Sequence, residues 1–142
     1  MKRLASTIVA ISILMLTGCT DDTAPKCSDK DVKNTIKNIY KEWSNNINNS
    51  DNPMFYIFKG NIPNSIISFD SPRTMAYDEE IKLRTCKIGI TLDDDTTAIF
   101  GYTVQLNEED LSNFYVEIDE KSLEEIAQAS LMKNLMKKMS ED

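Results

Sequence analysis

Residues 80–106 read Glu-Ile-Lys-Leu-Arg-Thr-Cys-Lys-Ile-Gly-Ile-Thr-Leu-Asp-Asp-Asp-Thr-Thr-Ala-Ile-Phe-Gly-Tyr-Thr-Val-Gln-Leu, and their alternation decides the fold class. From Glu80 to Leu92 the apolar period is two. Cys86, Ile88, Ile90 and Leu92 fall on one face, with Lys87, Gly89 and Thr91 on the other. Asp93-Asp94-Asp95 is a turn signal. Thr96 to Leu106 then returns with Ala98, Phe100, Tyr102, Val104 and Leu106 alternating against Thr97, Ile99, Gly101, Thr103 and Gln105. Side chains alternate across a strand, so two such runs joined by a short acidic turn predict an antiparallel hairpin with one buried face.

The pattern extends on both sides. Downstream, Asn107 to Ser112 is a second turn, and Asn113 to Ile118 predicts another strand that buries Phe114, Val116 and Ile118. Upstream, Ser65 to Phe69 predicts a strand. Pro72, which has no N–H for a ladder, is expected to bend or interrupt the chain from there through Tyr77. The sum is a four-stranded antiparallel meander with one apolar face, which needs a cover.

A helix supplies that cover. Ser28 is the expected N-cap, with Asp29 and Asp31 in the first turn, where the helix dipole favours negative charge. Val32, Ile36, Ile39, Tyr40, Trp43 and Ile47 form one broad apolar stripe. Trp43, the only tryptophan, is expected inside. Asn48 to Pro53 ends the helix. Met54 to Phe58 is apolar throughout and reads as one helical turn or an edge segment. Uncovered, it would be sticky, so Met54, Phe55, Tyr56 and Phe58 are candidates for a partner surface, with core as the alternative. Ser122 and Glu125 read as a capping box opening a C-terminal helix over about 122–139. Its apolar residues spread around the circumference. Met132 and Met136 join the candidate partner surface, since methionine faces adapt to varied contacts. A second helix of the same domain is the alternative. The fold class is therefore α+β: an N-terminal helix packed on the sheet, plus a C-terminal helix. The order is similar to cystatin-like or NTF2-like scaffolds, an analogy of arrangement that carries no function.

The first residues are of another kind. Lys2 and Arg3 precede an apolar run from Leu4 to Leu16, which is too short to span a bilayer and has the length of a signal-peptide core. The run ends in Leu16-Thr17-Gly18-Cys19, which resembles the lipobox of bacterial lipoproteins. An ordinary secretory signal followed by a chance cysteine is the alternative. The resemblance implies that residues 1–18 are a signal peptide, that Cys19 carries acyl chains, and that residues 19–26 are a lipidated tether. With Thr20 after the cysteine, and Asp21 one place later, it implies an outer-membrane anchor on the periplasmic side. The inner membrane, or the surface of a host with one membrane, are alternatives. Eight peptide steps from Cys19 to Cys27 reach at most about 28 Å, so the folded part, residues 27–142, is expected close to the membrane.

Composition excludes several chemistries. The chain has no histidine, so Ser-His and Cys-His nucleophile pairs and histidine metal sites are out. Of its 142 residues, 124 follow residue 18, enough for one domain. Without Lys2 and Arg3 the 16 basic residues fall to 14 against 23 acidic, a net charge near −9. Such a surface repels phosphate backbones, so nucleic acid is not an expected partner. With Cys19 lipidated, Cys27 and Cys86 remain, and in an oxidising compartment they are expected to pair; two buried thiols are the alternative. Asp93-Asp94-Asp95 lacks the spaced ligands and glycine of a calcium loop and reads as a solvated tip, as do Glu108, Glu109 and Asp110. No metal and no cofactor are expected. The resulting expectation is a non-enzymatic, membrane-tethered module that binds a protein partner near the membrane, of the envelope-assembly, immunity or exclusion type. A structural envelope component is the alternative, followed by an enzyme built on carboxylates, tyrosine or serine.

Overall fold

A computed structural model describes residues 22–141, so the leader and Cys19 lie outside the described residues. In chain order come helix α1 (Lys30–Asn48), a 3₁₀ segment (Pro53–Phe58), strands β1 (Ile66–Asp78), β2 (Leu83–Leu92), β3 (Thr97–Leu106) and β4 (Phe114–Ile118), and helix α2 (Glu120–Ser140). The four strands form one sheet in the order β1-β2-β3-β4, each pair antiparallel. The α+β class, the meander and both helices match the sequence reading.

The core follows the alternation. Cys86, Ile88, Ile90 and Leu92 of β2 and Phe100, Tyr102 and Val104 of β3 are buried against Val32, Ile36 and Tyr40 of α1 and Ile126 of α2. Two details of α1 differ from expectation. Its N-cap is Asp29, whose carboxylate accepts from the Asp31 N–H at 2.8 Å, one residue beyond Ser28. Its buried row is Val32, Ile36, Tyr40 and Ser44, at intervals of four, so Tyr40 takes the inner aromatic position and Trp43 is only half-buried.

Pro72 does not interrupt β1. The strand runs through it because β1 is a sheet edge, where a missing N–H costs no ladder bond. Between the pairs Asp70–Gly89 and Arg73–Lys87 two residues face one, and Ser71 takes a positive φ of 48° in this bulge. At the opposite edge, β4 buries only Ile118. Phe114 and Val116 pack against the core but stay half-buried on this edge strand.

Helix α2 starts earlier than its capping-box signal. Asp119 is the N-cap and accepts from the Lys121 N–H, while Ser122 lies in the first turn. The Ser122 side chain is buried and has different work. Strand β4 stops at Ile118, opposite Tyr102, so Gly101 has no strand partner on that side. The Gly101 N–H donates to Ser122 Oγ at 3.0 Å, and the Asp119 N–H donates to the Gly101 carbonyl at 2.9 Å. The helix thus closes the ladder that β4 leaves open. Ser122→Ala would strand the Gly101 donor, a loss of about 1–3 kcal/mol, read as a lower urea midpoint with unchanged slope.

Candidate functional site

An apolar groove of ≈ 480 Å³ opens between three elements. Trp43 and Ile47 come from the last turns of α1, Phe55 and Phe58 from the 3₁₀ segment, and Leu123 and Ala127 from the first turns of α2. Its polar wall is Glu120, Glu124 and Gln128, four residues apart and so stacked on one side of α2. No basic residue lines it. The volume lies in the range of ligand-binding pockets.

The sequence places each wall locally. Asn52 caps the 3₁₀ segment by accepting from the Met54 N–H at 3.0 Å, with Pro53 pre-set for a first helical turn. Behind the segment, Asn48 grips the chain at Ile62: its amide donates to the Ile62 carbonyl at 2.8 Å and its carbonyl accepts from the Ile62 N–H at 3.2 Å. The Tyr40 and Ser44 hydroxyls both donate to the Pro63 carbonyl, at 2.9 and 2.7 Å. These bonds fix one wall against α1 and set the width of the groove.

The candidate partner residues divide into three places. Phe55 and Phe58 are half-buried in the groove wall. Met54 and Tyr56, with Ile57, are exposed on the same segment, at 76, 76 and 58%. Met132 and Met136 lie outside the groove, on the exposed side of the last turns of α2 with Leu135 and Met139. Sequence reading groups them by type and misses Trp43, whose half-burial follows from Tyr40 taking the inner position.

The acidic turns are structural. Asp93 accepts from the Asn64 N–H and the Ser65 hydroxyl, each at 3.2 Å. Asp94 accepts from the Thr96 N–H and hydroxyl at 2.9 Å and from Lys133 at 3.2 Å. Burial raises the Asp94 carboxyl, but the Thr96 bonds and the Lys133 ammonium outweigh it and hold the group below the usual carboxylate range. Asp110 is held low by bonds from the Ser112 side chain and backbone and from Asn113. Among the described residues no histidine, cysteine or carboxylate cluster is arranged to hold a metal ion.

The expected pairing of Cys27 with Cys86 is present. The disulfide pins the start of α1 to the inward face of β2, with Cα atoms 5.8 Å apart. Around it lies a latch that the sequence does not reveal. The Tyr102 hydroxyl donates to the Cys27 carbonyl at 2.7 Å. Arg84 donates to the Pro25 carbonyl at 3.0 Å and to the Ala24 carbonyl at 3.1 Å, while its guanidinium stacks 4.5 Å over the Tyr77 ring. Ala24 itself is buried. Ala24 and Pro25 are therefore held to the same body as Cys27. No helix among the described residues is long and apolar enough to cross a membrane.

These features define an α+β protein with a helix-covered meander, a disulfide that locks the start of α1 to the sheet, and an acid-rimmed apolar groove. No family model, curated protein or solved structure matches the chain.

Proposed function

We propose that this chain is a lipid-anchored envelope protein that captures a protein partner without chemistry of its own. The single observation that carries the reading is the exposed apolar face of the 3₁₀ segment, Met54, Tyr56 and Ile57, beside the groove. A solvent-exposed apolar patch next to a concave apolar site is what a protein interface requires. The lipobox supplies the anchor, and two or more acyl chains make attachment stable.

The geometry supports a definite presentation. The N-terminal latch grips Arg84, at one end of β2. Helix α1 runs away from it, and the groove lies at the far turns of α1. Strand β2 from Arg84 to Leu92 spans about 27 Å. A chain held by Cys19 would keep the latch end near the bilayer and hold the groove toward the periplasm. The runner-up, a structural envelope component, gains no specific support from the groove.

Two measurements test the reading together. Intact mass of the chain extracted from its envelope is expected to show an acylated N-terminal Cys19. A photo-crosslinker at Met54 is expected to capture one stoichiometric protein, with capture falling about 10-fold in Ile57→Asp, since one buried aliphatic anchor is worth roughly 1.5–3 kcal/mol. A bare Cys19 thiol removes the anchor, and absence of a captured protein removes the partner.

A further inference from the structure

The groove brings aromatic rings and carboxylates to one concave site. Trp43, Phe55 and Phe58 line it from α1 and the 3₁₀ segment, and Glu120 and Glu124 border it on α2. An aromatic face attracts a cation through the ring quadrupole, tryptophan most strongly. Among the described residues the cation–ring contacts are Lys37 on Phe69 and Arg84 on Tyr77, so the rings of the groove are unused. The neighbouring lysines are engaged elsewhere, Lys59 with Asp51 at 3.2 Å and Lys121 with Glu125 at 4.0 Å. Glu120 and Glu124 form no ion pair among the described residues. Like charges four residues apart on a helix repel. The helix dipole offsets this for Glu120, in the first turn of α2, but has faded by Glu124.

We propose that the groove binds a small soluble organic cation, an ammonium or quaternary ammonium group carried on an apolar body. The charged head rests on the rings of Trp43, Phe55 and Phe58 and is neutralised by Glu120 and Glu124. The apolar body lies along the aliphatic part of the walls. A cavity of ≈ 480 Å³ is of the size that takes such a molecule. Charge decides the class. The groove has no basic lining residue, so a carboxylate or phosphate ligand would meet two like charges and no partner. A phospholipid head is ruled out on the same ground, because its phosphate would lie against the carboxylates. A neutral apolar ligand would use the rings and leave both glutamates unanswered. This goes beyond the partner-binding reading, which concerns Met54, Tyr56 and Ile57, and needs neither the anchor nor a protein partner.

Titration of the full-length chain, in whichever cell fraction holds it, provides the test. Trp43 is the only tryptophan and lines the groove, so its emission reports occupancy. Three probes share one benzyl body and differ in the charge of a tetrahedral head: benzyltrimethylammonium, benzyl methyl sulfone and phenylmethanesulfonate. The cation is expected to change the emission saturably with a Kd of about 1 mM, ordinary for a ligand this small. The neutral sulfone should bind about 10-fold more weakly, having lost the ring and carboxylate attraction, and the anion should give no saturable change. Glu120 and Glu124 are exposed, so E120Q/E124Q keeps the fold. It is expected to weaken the cation about 10-fold and leave the sulfone within twofold. A purely structural role for the glutamates would move both probes alike. An E108Q/E109Q control makes the same change in net charge at a distant turn and should leave cation binding within twofold. The site is overturned if the cation gives no saturable change, if the three probes bind alike, if E120Q/E124Q leaves cation binding intact, or if the control falls equally.

Discussion

Breaking the Cys27–Cys86 bond is expected to lower stability by about 4 kcal/mol. The bond closes a loop with a sequence separation of 59, and the chain-entropy account gives roughly that value for a loop of this size. A domain of this length has only about 5–15 kcal/mol in all, so the reduced protein should be folded but marginal. It should not be unlatched. The Tyr102 bond to Cys27 and the Arg84 bonds to Ala24 and Pro25 do not pass through sulfur. The measurement is a urea titration followed by Trp43 emission, with and without dithiothreitol. With a slope of about 2 kcal/mol per molar, the midpoint should fall by about 2 M on reduction, and by a similar amount in Cys27→Ala/Cys86→Ala. A midpoint that does not move would overturn the loop-closure account of this bond.

The meander is legible because burial on one face imposes a period of two on the residues themselves. Cys86 to Leu92 and Phe100 to Leu106 carry that imprint. Where sequence reading fails, the deciding contact is distant in the chain. Pro72 looks like a strand breaker because its edge position is a property of the sheet. Ser122 looks like a cap because its true partner, the Gly101 N–H, is 21 residues away in sequence. Asp29 displaces the predicted cap by one residue and Asp119 by three, each because its carboxylate accepts the N–H two residues on. The groove is half legible. Met54 to Phe58 stands out as an apolar run, but Trp43 reads as core, since periodicity cannot separate Tyr40 from Trp43 when both lie on one stripe. Nothing local in Ala24 or Arg84 announces the latch.

Removing the Tyr40 ring is expected to be the most damaging single change. Its side chain is fully buried, 5.6 Å from the Trp43 ring and 5.9 Å from that of Phe100 by centroid. Aromatic-to-alanine changes in a core cost about 3–5 kcal/mol, and this one removes the joint between α1, β3 and the groove wall. Tyr40→Phe separates packing from hydrogen bonding. The phenol is held neutral: burial pushes its pKa well above the ordinary value, and the Asp93 and Asp94 carboxylates add to the shift. Its hydroxyl shares the Pro63 carbonyl with Ser44. Either Tyr40→Phe or Ser44→Ala alone leaves that buried carbonyl one partner and should cost about 1 kcal/mol. Together they leave it none, so the double variant should lose more than the sum, with a coupling of about 1 kcal/mol in a double-mutant cycle. Purely additive losses would show that water satisfies the carbonyl, and that the joint between α1 and residue 63 is looser than these bonds imply. The same cycle reports on the groove. Once Pro63 is released, the chain after the 3₁₀ segment is held by Asn48 at Ile62 and by the Asn134 amide at Asn61, and Trp43 emission should shift to the red as water reaches the widened wall.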